Sequence, residues 1–165
     1  MKTINSMIIL MMFSSLITAQ EVFLLKDPDV KKIQDITNES DYLEASIFTY
    51  LNMNYNNDSK KKNVKKEPDG VTECGYTKEF SYNILYTIQQ CDEAPMLTEK
   101  VIFPKTELTS LKKWVELIYL STDTEISNVW YKDKIEYGPK NKEAGCYYSI
   151  TQTESQSIID IKCGS

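Results

Sequence analysis

Residues 74–91 read CGYTKEFSYNILYTIQQC, and the reading of this stretch decides the fold. Tyr76, Phe80, Tyr82, Ile84, Tyr86 and Ile88 fall on every second position, with Lys78 breaking the row. Thr77, Glu79, Ser81, Asn83, Thr87 and Gln89 lie between them, polar apart from the intervening Leu85. Aromatic and β-branched residues alternating with polar ones predict a half-buried strand. Phe80, Ile84 and Ile88 also stand four apart, so a helix competes.

The same stretch bears on the disulfides. Cys74 and Cys91 are 17 residues apart, and so are Cys146 and Cys163. As one strand the first segment spans about 56 Å at ~3.3 Å per residue, and as a helix about 25 Å at ~1.5 Å. A disulfide needs Cα atoms within roughly 7 Å. Local closure would require a turn near Ser81–Asn83, where neither Gly nor Pro stands. Between Cys146 and Cys163, TQTESQS is a credible turn. The expectation is that Cys74 and Cys91 both reach the C-terminal pair, in one of the two long-range connectivities that four cysteines allow.

Outward from this stretch, residues 1–19 read as a signal peptide: Lys2, then an apolar core from Met7 to Leu16, then a small-residue end at Ala19. The apolar run is too short for a membrane span. The remaining chain, 20–165, suits one secreted domain, with four cysteines forming a disulfide framework. Loss of Lys2 takes the net charge from −5 to −6. Every basic residue is Lys; there is no Arg and no His. Without the Arg fork, and with an acidic balance, nucleic acid is not an expected partner. Without His, the common zinc and copper sites and every His-based triad are excluded.

Asp27-Pro28 opens a short helix carrying Val30, Ile33 and Ile36. Asn38-Glu39-Ser40 and Asn57-Asp58-Ser59 are glycosylation sequons. In residues 41–55 (DYLEASIFTYLNMNY) a strand and a helix fit almost equally, and the alternation favours a strand. Residues 56–70 are Lys-rich and close on Pro-Asp-Gly, which reads as a solvated loop; a heparin or acidic-lipid contact is the functional alternative. LTEKVIF, from Leu97, is a short strand ended by Pro104. LKKWVELIYLS, from Leu111, reads as a strand with Trp114, Glu116, Ile118 and Leu120 on one face; a helix through Leu111, Val115 and Ile118 competes. Val129, Tyr131, Ile135 and Tyr137 alternate again, and residues 146–151 and 157–163 form the last hairpin.

No motif singles out a carboxylate pair, a phosphate-binding glycine loop or a nucleophile elbow. The chain is therefore read as non-enzymatic, with no cofactor and no metal. Glu116 is the acid that stands out, inside an apolar run. Facing a cavity, it could pair with a cationic ligand over the aromatic faces of Trp114 and Trp130; facing solvent, it would do no more than pair with Lys112 or Lys113.

Several features resemble the lipocalins, in particular the divergent salivary histamine-binding type of ticks. A short helix near Asp29 leads past Asn38 and Ser40 into Tyr42. Cys74 opens a strand. Leu117-Ile118-Tyr119-Leu120-Ser121-Thr122-Asp123 with Val129-Trp130-Tyr131 looks like a late hairpin. Gly145-Cys146 begins a strand, and Cys163-Gly164 closes the chain. The Gly-x-Trp signature is missing, and about seven strands are legible where the barrel wants eight. The resemblance implies a mostly β protein, an antiparallel lipocalin-like barrel or strongly curved sheet with a short N-terminal helix, holding a small amine or lipid. An α+β fold, cystatin-like or CAP-like, is the alternative. In function the alternative is an extracellular protein-interaction module without a cavity.

Overall fold

The computed structural model describes residues 23–39, 46–57, 59–91, 96–122, 126–131 and 133–164. The signal-peptide reading, residue Ser40 of the first sequon and Asp58 of the second lie outside them. Helix α1 (Val30–Glu39) starts on Asp29, whose carboxylate accepts the Lys32 N–H at 3.1 Å. The capping acid is thus two residues later than Asp27, which instead pairs with Lys113 at 2.5 Å.

Helix α2 (Ser46–Asn54) replaces the strand expected within 41–55. Its residues from Ser46 to Leu51 are all buried, so it has no polar stripe and leaves no helical period to read. After it come strands β1 (Lys62–Lys66), β2 (Glu73–Phe80), β3 (Ile84–Gln89) and β4 (Leu97–Pro104). Helix α3 (Leu108–Leu120) then leads to β5 (Asn128–Trp130), β6 (Glu136–Pro139), β7 (Gly145–Gln152) and β8 (Gln156–Gly164). The expected strand at 111–121 is therefore a helix. Leu111, Trp114, Val115, Ile118 and Tyr119 are its buried residues, spaced three and four apart.

All eight strands form one antiparallel sheet in the order β1-β2-β3-β4-β8-β7-β6-β5. β1 and β5 are its two edges, so the sheet is open and does not close into the barrel. The chain repeats one plan: a helix followed by a four-strand meander, first α2 with β1–β4, then α3 with β5–β8. The two meanders meet where β4 pairs β8. Alternate residues of the central strands (Tyr86, Val101, Phe103, Ile159, Ile161, Tyr148 and Ile150) are buried in one core with the helices. Burying side chains of this size stabilises by about 2 kcal/mol each before entropy is counted.

The stretch 74–91 is a hairpin, not one strand. Phe80 stands opposite Ile84, and Ser81–Asn83 make the turn. Tyr82 and Asn83 take left-handed backbone angles, φ 62° and 58°. Asn tolerates this conformation; Tyr does so only at a cost of roughly 1–2 kcal/mol. Contacts from elsewhere hold the turn: the Tyr82 ring lies 5.7 Å from Phe23 and 6.4 Å from Tyr55. The Ser81 hydroxyl and backbone N–H also bond to the backbone of Asn56. With this turn in place both bridges are local, Cys74–Cys91 and Cys146–Cys163, with Cα separations of 4.8 and 4.0 Å. The long-range pairing is overturned, because tertiary contacts supplied a turn that composition did not announce. Two disulfides fit an oxidising compartment. No helix among the described residues is long and apolar enough to cross a membrane.

The Lys-rich segment also differs from the loop expected. It contains β1, five exposed residues paired with β2 on one side. Lys61 and Lys62 bridge to Glu73 and Glu79 on β2, at 2.9 and 3.1 Å. Lysines on a sheet edge oppose pairing with another chain.

Candidate functional site

The residues singled out in the sequence separate because α3 is a helix. Residues two apart on a helix point about 200° from each other, so Trp114 and Glu116 face opposite ways. Trp114 is 1% exposed, edge-on to Tyr50 and Phe103, both at 5.4 Å. Its indole N–H is buried and faces the Tyr50 hydroxyl. It belongs to the core, not to a ligand patch.

Glu116 does meet Trp130. The Trp130 indole donates to Glu116 Oε1 at 2.6 Å, which ties α3 to the edge strand β5. Lys112, one turn earlier on α3, holds its ammonium 4.8 Å over the Trp130 ring. The Tyr137 ring lies 5.0 Å from the Trp130 ring, and Tyr119 packs edge-on to Tyr137 at 5.6 Å. Burial, then the Glu116 charge, raise the Tyr137 phenol above its ordinary value. The result is a half-buried patch of carboxylate, ammonium and stacked rings, able to accept a cation in place of Lys112.

A second acid was missed. Glu99 of β4 is 5% exposed, on the same face as Val101 and Phe103. The Tyr86 hydroxyl donates to its Oε2 at 3.1 Å. Burial pushes this carboxyl up to about 7, with the Tyr86 bond pulling the other way. The signal was in LTEKVIF, where Glu99 shares its alternation with Leu97, Val101 and Phe103.

The sequon at Asn57 is built into the fold. Asn57 Nδ2 donates to Asn52, and its Oδ1 is buried without a partner. The Ser59 hydroxyl donates to the Glu79 carbonyl at 2.5 Å and accepts the Glu79 N–H at 3.1 Å. A glycan at Asn57 would have to be added before these bonds form. Asn38 lies in the last turn of α1.

Glu67 approaches the Cys74 and Cys91 sulfurs within 4.8 Å, but those sulfurs are bonded to each other and offer no thiolate. Surface grooves lie away from Trp130. One, of about 580 Å³, is lined by Ile126, Ser127, Lys140, Asn141, Glu143 and Ala144. Another, of about 310 Å³, lies between Phe23–Leu25 and the start of α3. A third, of about 290 Å³, lies on the sheet by Thr87, Lys100 and Asp160. Compared with known proteins, the chain matches no family model, no curated protein and no solved structure.

Proposed function

We propose that the chain is a secreted, non-enzymatic binding protein that recognises an extracellular protein through its surface. The observation that carries this reading is how the covered face of the sheet is filled. Phe48 of α2 packs on Tyr76, Phe80 and Tyr86 at 5.7–6.2 Å. Trp114 of α3 packs on Phe103, and Tyr119 on Tyr137 and Tyr148. A ligand-holding fold keeps such a face open, whereas here helical aromatics occupy it. The two bridges support extracellular residence.

A second reading, nearer to the lipocalin resemblance, is capture of a small amine at Glu116 and Trp130. Lys112 favours it, since its ammonium already sits over the Trp130 ring. Native mass spectrometry of the secreted, deglycosylated protein separates the two. The surface reading expects the bare polypeptide mass. Extra mass that leaves on denaturation supports the amine reading, under which Glu116→Gln should weaken binding.

A further inference from the structure

Where β4 meets β8, eight paired positions from Leu97 opposite Cys163 to Pro104 opposite Gln156 join the two halves of the sheet. On the covered side this seam carries Glu99, Val101 and Phe103 from β4, with Ser157, Ile159 and Ile161 from β8, all buried. Ser157 is provided for: its hydroxyl accepts the Thr106 N–H at 3.1 Å. Glu99 differs in kind. Its cross-strand neighbours are Ile88 and Ile161. The polar groups facing it are phenols, Tyr86 of β3 at 3.1 Å and Tyr148 of β7, whose ionisation burial and then the Glu99 charge oppose. Tyr119 of α3 packs on Tyr148.

Among the described residues, the cations of the surrounding elements are turned elsewhere. Lys78, on the same face of β2, holds its ammonium over the Phe48 ring at 5.6 Å. On α3, Lys112 lies over Trp130, Lys113 pairs with Asp27, and the acid Glu116 bonds Trp130. Helix α2 has no charged residue. Lys100 and Asp160 pair with each other at 3.0 Å from positions on the uncovered face. Burial among rings and branched chains disfavours the carboxylate far more than the neutral acid.

We propose that Glu99 is a protonation switch built into the seam: neutral in acid, it lets β4 lock against β8, and its ionisation weakens the join between the two halves. The folded state binds this proton more tightly than the unfolded chain does. The stabilisation is therefore complete below the ordinary carboxyl value of 4.5 and is lost as pH rises through about 7. The window covers a move from a mildly acidic compartment to a neutral one.

Backbone hydrogen exchange from pH 5 to 8, corrected for the intrinsic rate of each amide, tests this on the whole protein. Opening of the β4 and β8 amides should rise on the order of fiftyfold across that range in the wild type and stay flat in Glu99→Gln. Tyr86→Phe, which removes a bond favouring the ionised form, should carry the rise on to higher pH. A flat wild-type profile, a rise retained in Glu99→Gln, or an unmoved profile in Tyr86→Phe would overturn the proposal.

Discussion

The half built from α2 and β1–β4 and the half built from α3 and β5–β8 follow one plan with different parts. Each holds a hairpin stapled by cysteines 17 residues apart. Residues an odd number apart stand opposite each other only across a turn of even length. The β7–β8 turn meets this condition: Gln152 faces Ser157 across four residues, and Cys146 lies directly opposite Cys163. The β2–β3 turn has three residues, which puts Gln90, not Cys91, level with Cys74. The Gln90 N–H accordingly bonds the Cys74 carbonyl at 2.7 Å, and Cys91 closes the bridge from one residue beyond. Equal cysteine spacing therefore does not mean equivalent hairpins; turn length decides the pairing.

The halves are also coupled unequally. Trp114 belongs to the second half's helix, yet it packs on Tyr50 and Phe103 of the first. Trp114→Ala should have the largest effect, a loss of about 4 kcal/mol in urea unfolding, since it empties a packed site shared by both halves. A loss under about 1 kcal/mol would mean that the halves are held together elsewhere.

The bridges come next. Loops of equal length cost the unfolded chain equal entropy, so Cys74→Ser/Cys91→Ser and Cys146→Ser/Cys163→Ser should each lose about 3 kcal/mol. Thermal unfolding of both double variants sharpens the comparison. If one loss is much smaller, that hairpin stays ordered without its staple. The smallest effect is expected at the turn. Asn83→Ala should cost about 1 kcal/mol and Asn83→Gly close to nothing, because only the former strains a left-handed residue. Equal stability in the two variants would contradict the three-residue turn.

These same places mark what the sequence could tell. The strands of β4, β7 and β8 were legible because one face is buried and the other is not, so the two-residue period survives in LTEKVIF and in the C-terminal hairpin. Helix α2 was not, since its residues from Ser46 to Leu51 are buried all round and no period remains. In α3 the run of apolar residues supports both periods, and the spacing through Leu111, Val115 and Ile118 was the better guide. β1 has no apolar alternation at all, as both its faces are exposed. The turn at Tyr82 is fixed by Phe23 and Tyr55, residues distant in the chain, and no local signal could announce it.

Of the three residues proposed for a ligand, Glu116 and Trp130 come together because β5 runs beside α3, while Trp114 leaves with the other side of the helix. Glu99 was overlooked because an acid in a strand is ordinarily read as solvent-facing. Its place in the alternation pointed inward.

That each half is closed by its own staple is the claim most open to direct trial. Peptide mapping of the unreduced, secreted protein is the measurement. The account predicts two cross-linked species, one joining Cys74 to Cys91 and one joining Cys146 to Cys163. A peptide linking either member of the first pair to either member of the second would contradict it, and with it the hairpin at Ser81–Asn83.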